Sequence, residues 1–288
     1  VMDMNEWRIC DTTLREGLQS GILLFDSERS KVRYADRVLG EGLADSIEVY
    51  RPGEHLSSET LDSLIRRWDS RVRVYYGVAH RMGEVPAAAA SISVTLISSR
   101  VRAGTDAVRA LASERPGLSV RVGLECVSRW RIPDLHGAVR ELRQIAGVTC
   151  ISLCDSLGEL LPSQLPGLVS AVAASPGAVT GGHFHDDAGL AAANAVALLG
   201  SPAGPLEVEV TLGGIGERVG IAALETALAI RQGTGWAREH RSDFADLRQL
   251  AGSAFGDFDK TPFSGGRYVA ESHRAPGGAL REEYQDLY

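Results

Sequence analysis

Two histidines one residue apart, His183 and His185, are the sharpest chemical signal in the chain. In an extended strand, residues i and i+2 project to the same side, so both imidazoles would point together. One carboxylate from a neighbouring segment would complete a two-histidine, one-carboxylate set. Such a set binds a divalent metal and leaves coordination positions open. Glu16 is the candidate third ligand. These donors accept Zn²⁺, Mn²⁺, Fe²⁺ or Co²⁺, and Mg²⁺ less comfortably. The competing reading is that the histidines hydrogen-bond Asp186 or Asp187. Arg15, beside Glu16, can hold a developing enolate oxygen or a carboxylate. It can equally form a salt bridge to Glu48. Both can hold at once, because Glu48 would then fix Arg15 in place.

Bringing residues 15, 48 and 183 to one place requires a fold that returns repeatedly to the same rim. The sequence alternates short β-branched runs with amphipathic stretches spaced near 3.6 residues. The runs predict strands over 7–11, 45–50, 72–78, 92–97, 118–124, 148–153, 179–184 and 206–212. The amphipathic stretches predict helices over 27–42, 57–68, 104–113, 133–145, 163–173, 189–199 and 218–232, with at best a short one over 86–91. Ser27 is a plausible helix start, and Gly40 and Gly42 mark that helix's end. Eight strand–helix units in order predict an α/β fold, a (β/α)₈ TIM barrel. An open doubly wound sheet is the competitor, and the count of eight favours the barrel. Residues 1–232 would form the catalytic barrel, and 233–288 a short C-terminal extension covering its mouth. Chemistry in such barrels sits at the C-terminal ends of the strands. The first strand ends there in residues 11–17, the second near Glu48, the fifth at Glu125, and the sixth at Asp155 and Ser156. The seventh ends in residues 183–187, and the eighth runs into 213–218. A structural barrel has no reason to gather so many charges on one rim, since partly buried charges are costly unless paired or metal-bound.

Composition narrows the class further. The 288 residues are 44% hydrophobic and 23% charged, which suits a folded globular chain rather than a disordered one. Thirty basic and 37 acidic residues leave a net charge of −7 with no basic run, so nucleic acid is not an expected partner. No apolar stretch reaches the length of a membrane span and no signal pattern opens the chain, so a cytoplasmic location away from membranes is expected. Four scattered cysteines do not make a disulfide framework; Cys150 and Cys154 share a strand face and read as buried thiols. The glycines of residues 213–220 fit a nucleotide-binding loop poorly and read as a tight turn. His55, His80, His136 and His240 stand alone and receive no role.

Six motifs in order resemble the DRE-TIM metallolyase superfamily, whose branches include homocitrate synthase, isopropylmalate synthase, citramalate synthase and hydroxymethylglutaryl-CoA lyase. They are D-T-T-L-R-E-G-L-Q at Asp11 to Gln19, I-E-V at Ile47 to Val49, and L-E-C at Leu124 to Cys126. D-S-L-G follows at Asp155 to Gly158, then H-F-H-D-D-A-G-L-A-A-A-N from His183 and G-I-G-E-R-V-G from Gly214. The R-E of the first motif and the G-E-R-x-G-I near Ile221 look most like the homocitrate synthase branch. The lyase branch carries a catalytic cysteine after the eighth strand, where this chain has none.

The resemblance implies a divalent metal (Zn, Mn or Mg) on Glu16, His183 and His185, with Arg15 stabilising an oxyanion and Glu48 holding it. It implies that Glu125 belongs to the catalytic set and that Gln19 and Ser156 line the substrate pocket. The partners it implies are a 2-oxo acid and an acyl-CoA, and the assembly a homodimer. Several positions depart from the family pattern. Leu18 replaces an acid, Asp186 replaces an asparagine, and the usual histidine of the third strand falls near Gly77, although Arg81 is kept. Near the tail, Ser272-His273-Arg274-Ala275 resembles an S-H-K-A element, so His273 is a candidate acid–base group. The second histidine expected five positions on is Gly278. Arg100 and Arg102 can grip a distal carboxylate; the competing reading is a solvated surface arginine. Three functions follow: a Claisen-type acyltransferase with a specialised substrate, an aldolase or other C–C lyase that needs no CoA, and a metabolite-binding barrel without turnover.

Overall fold

The computed structural model describes residues 7–19, 25–51, 53, 55–173, 179–202 and 205–252. Eight parallel strands close into one barrel in sequence order: β1 (Trp7–Asp11), β2 (Ser46–Tyr50), β3 (Val72–Val78), β4 (Ser91–Leu96), β5 (Ser119–Leu124), β6 (Val148–Asp155), β7 (Val179–Phe184) and β8 (Leu206–Val210). Closure is direct, with Trp7 to Asp11 of β1 in register with Leu206 to Val210 of β8. The barrel, rather than the open sheet, is therefore the fold.

Among the described residues, seven helices wrap the barrel: α1 (Glu28–Gly40), α2 (Ser58–Trp68), α3 (Val101–Glu114), α4 (Ile132–Arg143), α5 (Leu165–Ala173), α6 (Ala191–Leu199) and α7 (Leu224–Gln232). Local chemistry explains their starts. Ser27 caps α1, accepting from the Ser30 amide at 3.2 Å, while the Ser30 hydroxyl accepts from the Ser27 amide at 3.2 Å. Ser57 caps α2 by accepting from the Thr60 amide at 3.3 Å, and its own amide donates to Glu28 at 2.8 Å. The helix expected over 86–91 does not form; β3 and β4 are joined by a short 3₁₀ turn at Ala79–Arg81 and a loop. The helix expected from Arg218 begins six residues later, at Leu224. Arg218 and Gly220 have positive φ (56° and 89°), which no helix accommodates, and Ile221 instead bridges to His185.

Two further helices, α8 (Thr234–Glu239) and α9 (Arg241–Ala251), open the C-terminal extension. They lie against α7 and α1 on the outer flank of the barrel. The Phe25 amide donates to the Ala251 carbonyl at 2.7 Å, and Arg248 pairs with Glu225 at 2.8 Å. The remainder of the extension lies outside the described residues.

The strands read as alternating apolar and polar residues, and the structure shows why. Ile9, Ile47, Val74, Ile92, Val120, Val122, Ile151, Val208 and Val210 are buried in the shell between barrel and helices. The alternate positions are buried too, but polar: Glu48, Arg73, Ser93, Arg121, Ser152, Glu207 and Glu209. A parallel barrel is usually filled with branched apolar side chains. Here much of the interior is ionic, and it is held by pairing: Arg73 grips Glu207 with two bonds of 2.8 and 3.0 Å, and Arg121 pairs with Glu209. Such charges are tolerated only when each finds a partner.

Candidate metal centre and active site

The chain after β1 makes a single wide π-type turn over Thr13–Gly17. Turns of this kind recur at functional sites because they re-aim side chains. This one buries Arg15 and Glu16 at the rim. Beneath it, Asp11 accepts from the Thr13 amide (3.0 Å), the Thr13 hydroxyl (3.1 Å) and Tyr34 (2.8 Å), which pins the turn to α1. Burial nevertheless pushes the Asp11 carboxyl up to about 7.

His183 and His185 project from the end of β7 onto the same place. Their Nε2 atoms face one another at 3.3 Å. Glu16 lies 3.9 Å from His183 Nε2 and 4.0 Å from His185 Nε2. One ligand atom from each of the three residues lies within 4.8 Å of the other two, and all three residues are buried. The donor set fits a divalent ion. Burial, followed by the charge of Arg218, holds His185 well below the ordinary imidazole range, in the neutral form that ligates. Glu16 Oε1 is steadied by the Glu217 amide at 2.9 Å.

The hydrogen-bonding alternative for the histidines does not hold for Asp187, which accepts two bonds from Arg218 at 2.6 and 2.8 Å. Asp186 accepts from the Ala191 amide at the start of α6. His183 instead bonds through Nδ1 to Glu209 at 2.8 Å, a residue for which no role had been expected. Burial opposes the Glu209 charge, but Arg121, His183 and Arg15 outweigh it and hold the carboxyl down to about 2.

Arg15 sits where the sequence suggested, with Nε on Glu48 Oε1 at 2.9 Å and Nη1 on Glu16 Oε2 at 2.6 Å. Ser93 donates to the second Glu48 oxygen at 2.5 Å. The guanidinium carbon lies 4.5 Å from the centre of the Tyr75 ring. Tyr75 meets Tyr50 edge-on at 5.7 Å, and Tyr50 donates to Gln19 Oε1 at 2.6 Å. Gln19 thus joins the same rim through an aromatic wall.

Ser156 and Glu125 form a pair. The Ser156 hydroxyl accepts from the Cys126 amide at 3.0 Å and donates its proton to Glu125. Cys126 adopts a left-handed conformation (φ 50°) to make that bond, an uncommon state for a side chain without a polar terminus. Arg102 is exposed in the first turn of α3. His273 and Gly278 lie outside the described residues.

Glu209, Arg121, Arg73 and Glu207 were missed although a signal for them exists. Several strands alternate, as in V-R-V and L-E-V-E-V, and the period of two puts their polar positions on the face opposite the apolar residues that meet the helices.

A closed parallel barrel with two imidazoles, one carboxylate and a clamped arginine at its C-terminal rim defines a (β/α)₈ protein built around a candidate divalent-metal centre. Comparison with known proteins agrees. A profile of the HMGL-like family matches residues 70–253, and the chain belongs to that family. It is 32% identical over 253 residues to a 2-isopropylmalate synthase of Aliarcobacter butzleri, covering 79% of this chain and 47% of that protein. It is 29% identical over 277 residues to the homocitrate synthase AksA of Methanosarcina acetivorans, covering 87% of this chain and 66% of that protein. The chain thus spans about half to two thirds of the length of these relatives. Among solved structures, the carboxyl transferase domain of Rhizobium etli pyruvate carboxylase superposes over 99% of this chain and 54% of its own (TM-score 0.69, 20% identity). An HMG-CoA lyase of Bacillus subtilis superposes over 85% of this chain and 96% of its own (TM-score 0.61, 17% identity). At those identities the likeness is one of fold. Among the described residues, no helix is long and apolar enough to cross a membrane.

Proposed function

We propose that this chain catalyses a divalent-metal-dependent Claisen-type condensation of an acyl-CoA, acetyl-CoA in the first instance, with a 2-oxo acid. The observation that carries this reading is Arg15, clamped by Glu48 and lying directly against the buried Glu16–His183–His185 cluster. The names of the sequence relatives, a 2-isopropylmalate synthase and a homocitrate synthase, support it.

Glu16, His183 and His185 would hold the ion, and a divalent ion in such a site supplies Lewis acidity toward a keto oxygen. Arg15 supplies a fixed cation for the oxyanion that develops as the keto carbon is attacked. Its guanidinium stays charged because Glu48 and Glu16 outweigh the opposing effect of burial. Ser156 donates to Glu125 at the rim, and Glu125 would serve as an acceptor for the proton lost from the acyl-CoA α-carbon. The new bond joins that carbon to the keto carbon, and the former keto oxygen takes up a proton. Water then cleaves the thioester and releases free CoA. Gln19, with Tyr50, would border the bound 2-oxo acid. His273 is retained as a candidate acid–base group on the strength of the sequence resemblance, and Arg102 as a candidate contact to a distal carboxylate.

The test is thiol release by the full chain supplied with Mn²⁺, Zn²⁺ or Mg²⁺, acetyl-CoA and a panel of 2-oxo acids, with products identified by mass spectrometry. Release that depends on both the metal and one 2-oxo acid is expected. Absence of CoA release with every 2-oxo acid, from protein shown to hold metal, would overturn the proposal. A 2-oxo acid formed from a hydroxy acid without CoA would replace it with C–C lyase chemistry.

A further inference from the structure

We propose that Glu209 is a positioning residue for the metal centre. Its buried carboxylate selects the His183 tautomer that leaves Nε2 available to an ion. The inference rests on reading Glu16, His183 and His185 as metal ligands.

The geometry constrains the ring from one side only. His183 Nδ1 lies 2.8 Å from Glu209 Oε2, while Nε2 faces His185 Nε2 at 3.3 Å and Glu16 Oε2 at 3.9 Å. An ionised carboxylate can only accept, so the proton of a neutral His183 must sit on Nδ1. The lone pair then sits on Nε2, the atom that faces the other two ligands. A neutral imidazole without such a partner favours a proton on Nε2, the form that cannot ligate from that atom. Carboxylate partners of this kind also fix ring orientation and raise ligand basicity.

Glu209 is itself held so that it cannot swing away. It is 1% exposed on β8, with its backbone in register with Cys10 of β1. Arg121 pairs with Oε1, and Arg73 lies 3.9 Å from the same oxygen. Arg15 lies 3.7 Å from Oε2. Arg73 is anchored in turn by Glu207, two residues earlier on the same strand. The ionic interior of the barrel therefore ends at a metal ligand. Arg121 suffices to pair the Glu209 charge, so the second oxygen is left to act on His183. Glu207 provides the contrast: a buried carboxylate of the same strand that pairs with Arg73 and makes no bond to the ligand set.

The test compares Co²⁺ and Zn²⁺ binding, by calorimetry and by the Co²⁺ visible spectrum, in wild type, Glu209→Gln and Glu207→Gln. The ¹⁵N shifts of His183 in the metal-free full chain report the tautomer directly. Wild type should show a proton on Nδ1. Glu209→Gln should lose that preference and bind metal about 10- to 100-fold more weakly, the range for a lost outer partner of a ligand. Glu207→Gln should keep the tautomer and stay within about threefold of wild type in affinity. Should Glu209→Gln fail to fold, Glu209→Asp keeps a charge opposite Arg121 but withdraws it from His183, with the same weakening expected. Unchanged tautomer and affinity in the Glu209 variant would overturn the inference, as would an equal loss in Glu207→Gln. A wild type that binds no metal would instead defeat the metal reading, while the ¹⁵N shifts still test the tautomer.

Discussion

Arg15 and Glu48, 33 residues apart in the chain, meet through a 2.9 Å bond between Nε and Oε1 inside the barrel rim. Neither is appreciably exposed. Arg15 thereby presents its remaining nitrogens to Glu16 and Glu209 in a fixed fork. Lysine offers one point charge and cannot hold these partners together. Arg15→Lys is expected to lower kcat at least about 100-fold, the scale for losing an oxyanion-stabilising donor. Glu48→Ala leaves a buried guanidinium without its main partner and should cost about 3–5 kcal/mol in urea unfolding.

The Glu16 carboxylate is packed against backbone. A Cβ built on Gly216 would lie 3.0 Å from Glu16 Oε1 and 3.1 Å from its Cγ. Gly216→Ala should therefore displace Glu16 while leaving the barrel folded. The expected outcome is metal affinity reduced about tenfold or more, consistent with a shifted ligand, with a melting temperature close to wild type. A calorimetric titration beside a thermal melt checks both halves.

Arg218 ties the loop after β8 to the loop after β7. It grips Asp187 with two bonds and donates to the Ser156 carbonyl at 2.8 Å. Arg218→Ala strands a buried carboxylate, so a loss of about 3–5 kcal/mol is expected. Adding Asp187→Ala should recover part of it, because the uncompensated charge goes too. The non-additivity of the double-mutant cycle, read by urea unfolding, measures the pair.

Asp11 makes stability depend on pH. Its carboxyl titrates near 3.8 when unfolded and at about 7 when buried. The folded state holds a proton across that window which the unfolded state releases. The stabilisation is fully present below the unfolded value and is lost as pH rises through about 7. Asp155, raised by burial to about 6, acts in the same direction. Asp11→Asn removes this dependence at one site. Relative to wild type it should gain on the order of 2 kcal/mol between about pH 5 and about pH 8, measured as the change in unfolding free energy.

The sequence by itself determined the features that repeat or lie close along the chain. The alternation of strands and helices implied the barrel, and the single-residue spacing of His183 and His185 put both imidazoles on one side of a strand. The position of Arg15 beside Glu16 joined cation and ligand, and the strand-end rule brought Glu48 to them. What the sequence left open depends on which strands face each other once the barrel closes. Arg73 and Glu207 pair across 134 residues, and His183 and Glu209 across 26. Nothing local in either sequence neighbourhood selects those partners. Asp186 and Asp187 were nearer to the histidines in sequence, yet Asp187 turned to Arg218 and the carboxylate on His183 came from the next strand. The start of α7 was likewise decided by the positive φ of Arg218 and Gly220, which the loop adopts to reach back to β7. Spacing sets which way a side chain points, and closure of the barrel decides what it meets there.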